Sequence, residues 1–191
     1  MSTAEGEGWP DEPFWDFSLA LYRKPGVEAA CLDLQKRHGV DVNLVLFCLW
    51  LGTRGTVLDE ATTARLGEIT EEWQTEVVVL LRGVRSHLKS GLPSQGSGMA
   101  GVADAWPEQA GAIRRQTLAL ELDAEHLEQL FLGSAAATLS SEASAGPALA
   151  SDNLRHYWDF DERDRDALKT LLGQCFPGAD LRSCLDWLDR P

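Results

Sequence analysis

Basic residues are scarce in this chain: 17 Lys and Arg stand against 30 Asp and Glu in 191 residues, for a net charge of -13. Its densest basic spots are only the pairs Arg23-Lys24, Lys36-Arg37 and Arg114-Arg115. Nucleic-acid binding rests largely on clustered cations that displace counterions, so a nucleic-acid partner is not expected. Long apolar runs are missing as well, none approaching the ~20 residues a membrane helix requires, and no membrane partner is expected. The four cysteines, Cys31, Cys48, Cys175 and Cys184, include no C-x-x-C pair and have no clustered histidine partner. That spacing supports neither structural zinc nor a thioredoxin-like motif, and leaves them as small core residues. The N-terminus carries Glu5, Glu7, Asp11 and Glu12 with no base before Arg23, the opposite of a signal peptide. A cytoplasmic location is the expectation.

Catalytic signatures are absent from the same list. Neither G-x-S-x-G nor G-x-x-x-x-G-K-[ST] occurs, and GSGMAG at 96–101 matches a dinucleotide fingerprint only by letter, since no strand precedes it. No cofactor and no metal are expected.

What the chain has is apolar residues at 44% and charged residues at 25%, ordinary globular usage that can offset chain entropy. The acidity is uneven, -5 over residues 1–115 and -8 over 116–191. Residues 1–11 read as a flexible acidic leader and 12–191 as one helical domain, in which a Gly/Ser-rich loop at 90–105 separates an N-terminal helical core from C-terminal helices. Apolar periodicity predicts a short helix over 14–22, a second with Pro25 in its first position and Gly39 as its stop, and a third over 42–51, capped by Asp41 and closed by Gly52. That third helix is apolar on almost every side and belongs at the centre of a core. Asp59 caps a short helix to Leu66, and Thr70 caps a longer one carrying Trp73, Val77, Leu80, Leu81, Val84 and Leu88. The Val77-Val78-Val79 run is also compatible with a strand, but the 3.6-residue period favours helix. After Pro107 a long helix carries Ile113, Leu120, Leu127, Leu130 and Phe131 on a stripe that must pack on something, with Arg114, Glu121, Glu125 and Glu128 off it. Residues 133–146 read as weak helix or loop, and helical spacing returns over 147–158, 164–176 and 180–188. The fold class is all-α, a compact orthogonal assembly of about seven helices around the 42–51 helix.

Four polar features invite chemistry. The acidic run 159–166 resembles a calcium loop, but an EF-hand requires Gly at position 6 and Glu at position 12, where Asp164 and Thr170 stand. A helix N-terminus, whose dipole favours acids, explains it instead. Asp123-x-x-His126 has di-metal spacing, yet such bundles use that motif twice, so His126 reads as a solvated surface histidine. His38, His87 and His156 fall near helix ends or faces and read as structural. Asn43 costs free energy inside an apolar helix unless hydrogen-bonded. Trp15 reads as a core residue packed against the central helix.

The segment 13–52 resembles the N-terminal signature of a family of uncharacterised proteobacterial proteins carrying a domain of unknown function. Its elements here are Phe14-Trp15-x-Phe17-Ser18, Tyr22, Pro25-Gly26-Val27, Cys31-Leu32, Leu34-Gln35, Gly39, Asp41-Val42-Asn43 and Leu46-Phe47. The resemblance implies a cytoplasmic bacterial helical protein and carries no catalytic residue onto this chain. Two function classes follow. The first is a non-enzymatic protein-interaction or regulatory module with an unknown protein partner. The second is a small-molecule-binding protein or enzyme with a pocket near Trp15, Tyr22, His38, Asn43 and Trp50, because pockets combine aromatic walls with a few polar groups. None of these features specifies an oligomeric state.

Overall fold

The computed structural model describes residues 9–89, 107–141 and 143–189. Most of the acidic leader and the whole 90–105 loop therefore lie outside the described residues. All regular structure among those residues is helical: α1 (Pro13–Tyr22), α2 (Val27–His38), α3 (Val42–Thr53), α4 (Glu60–Trp73), α5 (Val79–His87), α6 (Pro107–Ala136), α7 (Pro147–Tyr157) and α8 (Arg165–Cys175). A π-helical segment, Gln74–Val78, joins α4 to α5, and 3-10 turns occupy Glu162–Asp164 and Ser183–Asp189. The all-α class expected from the period is what forms. The chain divides into two compact units, one made of Met1–Thr63 with Gln129–Pro191, the other of Ala64–Glu128.

In the first unit α3 is the centre, and every residue from Asn43 to Gly52 is buried. The Asp41 carboxylate caps it by accepting from the Asn43 N–H at 2.8 Å. Gly52 does not stop this helix, contrary to the sequence expectation; it lies inside α3, where α7 crosses. A Cβ there would stand 2.6 Å from the Ala150 Cα and 2.8 Å from its N. Glycine is selected by that contact, not by a turn.

Asn153, fully buried on α7, ties the following loop down. Its Oδ1 accepts from the Leu58 N–H at 2.9 Å, while its Nδ2 donates to the Thr56 carbonyl at 3.1 Å. The small-residue segment 133–146 is helical to Ala136 and then a bonded loop, with Ala143 N–H on the Gly55 carbonyl and Gly146 N–H on that of Gly52.

α1 begins where the Glu12 carboxylate accepts from the N–H groups of Phe14 and Trp15, at 3.2 and 2.5 Å. Gly133 on α6 lies against that carboxylate, and a Cβ there would come within 2.9 Å of the Glu12 Cδ. The aromatic that α1 buries against α3 is Phe14, not Trp15. Its ring sits 5.3 Å from Phe47, edge-on, and 5.2 Å from Trp50, whereas Trp15 is half-buried.

Pro25 is likewise displaced from its expected role. α2 starts at Val27, and Gly26 precedes it at φ +82°, a left-handed conformation that excludes most side chains. Gly39 does end α2 as expected. At the far end of the chain the expected short helix is a 3-10 turn over Ser183–Asp189.

A candidate interaction surface on the two-helix unit

The second unit is built from α4 beyond Ala64, the π segment, α5, and α6 as far as Glu128. The sequence places two separate helices here, with Thr70 as the cap of the second. Instead the chain is helical without a break from Glu60 to His87, and the Thr70 hydroxyl donates to the Gly67 carbonyl in mid-helix. Asp59 does cap the start, accepting from the Thr62 N–H at 2.7 Å.

The two arms of this helical hairpin run antiparallel, and polar groups join them. The Trp73 Nε1 donates to the Ala124 carbonyl at 3.0 Å, and the Gln74 Nε2 to the Glu128 carboxylate at 2.5 Å. Glu121 is the hub. Its carboxylate receives Arg85 Nε at 2.5 Å and Arg82 Nε at 3.1 Å, and Arg82 also reaches Glu125 at 3.1 Å. Burial of Glu121 opposes its ionisation, but the hydrogen bonds from Arg85 and Arg82 outweigh it and hold its pKa below the usual carboxylate value. Glu121 is 4% exposed, and Glu128 and Thr117 are buried beside it.

Many of the large apolar residues of the unit are left uncovered by this contact. Ile69, Val79, Leu80, Val84, Ile113, Leu118, Leu120, Leu122 and Leu127 are all exposed, Leu80 at 58% and Leu120 at 57%. Among the described residues of the unit, only Leu66, Val78 and Ala124 are buried hydrophobics. The expected stripe on α6 thus forms but finds no partner among the described residues: Ile113, Leu120 and Leu127 recur every seven residues, on a line beside the one that faces α5. Full burial of such a side chain is worth about 1.5–3 kcal/mol, so a half-exposed one forgoes about 1 kcal/mol. Nine together leave on the order of 9 kcal/mol unrealised by the hairpin alone. On α6 the line Ile113, Leu120 and Leu127 shares one face, and apolar surface exposed along one face marks interaction sites in soluble proteins.

His126 also departs from expectation. It is buried, not solvated, and desolvation lowers its pKa, the nearby Asp123 charge partly opposing this.

The five residues proposed for a pocket all belong to the first unit. His38 Nε2 donates to Asp164 Oδ1 at 2.8 Å, Arg37 Nη1 reaches the same oxygen at 2.5 Å, and the Asp161 N–H donates to the other oxygen at 2.8 Å. Asp164 is fully buried, and the His38 ring lies beside Trp158 and Phe160. This carboxylate fastens the end of α2 to the start of α8. The Asp161–Asp164 pair forms a capping box, and Arg163 ion-pairs with Asp161, so the acidic run 159–166 is helix-start chemistry. Asn43 Oδ1 accepts from Gln129 Nε2 at 2.7 Å, both residues being buried. Trp50 belongs to the Phe14–Phe47 cluster, with the Arg54 guanidinium 4.9 Å above its ring. Trp15 and Tyr22 are half-buried on α1. His38, Asn43 and Trp50 thus sit in three separate sets of contacts.

None of the thiols is poised as a nucleophile: burial pushes Cys31 and Cys175 up to about 12 and raises Cys48 and Cys184 as well. Among the described residues no three His, Cys, Asp or Glu side chains cluster as metal ligands.

Sequence reading missed Glu121, Gln129, Asn153 and Asp164. For Glu121 a signal existed: Arg82 and Arg85 at a spacing of three, opposite Glu121, Glu125 and Glu128, make complementary stripes of opposite sign. The profile of a family described as "Protein of unknown function (DUF2390)" matches residues 13–132. No curated protein and no solved structure matches the chain.

Proposed function

The chain belongs to the DUF2390 family of proteins of unknown function, and from its structure we propose that it is a non-enzymatic protein-interaction module that binds through the 64–128 hairpin. One observation carries this: the hairpin turns Glu121 and Glu128 inward while nine large hydrophobic side chains stand exposed, where burial ordinarily favours the apolar groups. The net charge of -13 supports a partner other than nucleic acid. Four free cysteines support a reducing compartment, the cytoplasm of a bacterium. No described helix is long and apolar enough to cross a membrane.

The test compares tagged wild type with a Leu80→Lys, Leu120→Lys variant, both purified from the host. Partners that co-purify with the wild type should be lost from the variant at equal yield and helicity. An unchanged partner set would refute the reading.

A second reading, small-molecule binding in the first unit, is favoured by the buried amide pair Asn43–Gln129. The Gln129 Oε1 and the Asp41 Oδ2 are buried acceptors without a hydrogen-bond partner, and a ligand donor there would satisfy them. A metabolite that raises the melting temperature of wild type but not of Gln129→Leu would establish it.

A further inference from the structure

We propose that the occupant of the exposed hairpin stripe is a second copy of this chain, packed antiparallel so that the two hairpins form a four-helix bundle. This rests on the interaction reading above and names its partner. Three observations converge on a copy.

The first is the symmetry of the stripe. Ile113, Leu120 and Leu127, all exposed, are spaced seven residues apart on α6. A two-fold axis at Leu120 sets Leu120 against its own copy and Ile113 against the partner's Leu127. Such self-complementarity is what a closed dimer needs, and a seven-residue repeat keeps one line of side chains facing a partner helix along its length.

The second is charge. Opposite signs segregate along the hairpin: Arg82, Arg85, Lys89, Arg114 and Arg115 gather toward the end where α5 stops and α6 starts. Glu68, Glu71, Glu72, Glu76 and Asp123 gather toward the other end. Glu108, Arg65 and Glu121, which pairs with Arg82 and Arg85, are the exceptions. Parallel pairing would set like ends together, whereas antiparallel pairing sets the basic end of one hairpin along the acidic end of the other. Complementary potentials of this kind fix orientation and partner choice.

The third is area. About 22 residues of α6 lie in this unit, roughly 33 Å of helix at 1.5 Å per residue. Two helices side by side span about 20 Å, so the face covers roughly 660 Å² in projection. That is close to the ~800 Å² per partner of a standard stable interface.

The experiment is light scattering of the full chain after size exclusion, with a hydrophobic dye titration on the same samples and a cross-linking arm. The expected result is twice the 21.0 kDa chain mass, reduced to the monomer by Leu120→Glu with helicity unchanged. Reversing Arg114 and Arg115 to Glu should weaken the dimer by about tenfold or more at low salt, and less at high salt. In the cross-linking arm, chains carrying Ile113→Cys should form disulfides with chains carrying Leu127→Cys and not with themselves. A dimer that survives Leu120→Glu, or Ile113→Cys chains that cross-link to each other, would overturn the proposal. A monomer that binds dye through a site lost in Leu120→Glu would overturn the second copy and leave the interaction reading standing. A monomer that binds no dye would overturn both.

Discussion

Replacing Glu121 with Gln removes one charge at the hub of the hairpin while keeping its volume. Two guanidiniums then face a neutral amide that can accept only part of what the carboxylate accepted from Arg85 at 2.5 and 3.2 Å and from Arg82 at 3.1 Å. Breaking a fully buried ion pair from one side costs about 3–5 kcal/mol. Here the arginine side chains are 38% and 28% exposed, so water recovers part of the loss and about 2 kcal/mol is expected. The pH dependence supplies an internal control. The Glu121 pKa is lowered in the folded chain, so its contribution is present above the unfolded carboxylate value of about 4.3 and lost as pH falls through the folded value. Glutamine mimics protonated glutamate, and the two proteins should converge in acid. Urea unfolding by circular dichroism at neutral and acid pH, with hydrogen exchange to localise the loss to 64–128, measures this. Equal stability at neutral pH, or a difference that persists undiminished in acid, would refute the network as the clasp. Exchanging the whole triad for Leu at 121, Met at 82 and Leu at 85 should be neutral or stabilising.

Gly52→Ala should cost about 3 kcal/mol, because the Ala150 backbone must retreat; calorimetry should show Tm falling by roughly 10 °C. Asn153→Ala should cost about 3 kcal/mol in urea unfolding, since the Leu58 N–H and Thr56 carbonyl lose their partner. His126, its pKa lowered by burial, binds its proton more readily unfolded. Wild-type stability should therefore decline as pH falls below about 6.5, and His126→Gln should flatten that part of the profile. An identical slope in the variant would assign the decline to another group.

Local rules were sufficient wherever the deciding contacts are local. Asp41, Asp59 and Gly39 bound their helices as the caps and stop their positions imply, and the run after Asp41 is buried from Asn43 to Gly52. They failed where a distant group decides. Gly52 looks like a stop until Ala150 is set against it, and Thr70 looks like a cap because nothing local announces a π segment four residues on. The candidate pocket shows the same division. His38 and Asn43 are legible as polar residues at helix ends, but Asp164 lies 126 residues from the first and Gln129 lies 86 from the second. No spacing rule reaches across such intervals.

The α6 stripe was legible in the sequence, and what covers it was not. Periodicity says which residues share a face, not whether that face is the one covered. On α6 two stripes compete, Ile113-Leu120-Leu127 and Thr117-Glu121-Ala124-Glu128, and the partner helix chooses between them by what it presents. α5 presents Arg82 and Arg85, and a guanidinium set against the leucines would be buried without a partner. The acidic stripe is therefore turned inward, where ion pairs fix the register of the hairpin while adding little net stability. The apolar stripe is left outward, where it can stabilise only a contact with something else. Had the hairpin closed on its leucines, it would be more stable by itself and would have no surface to offer.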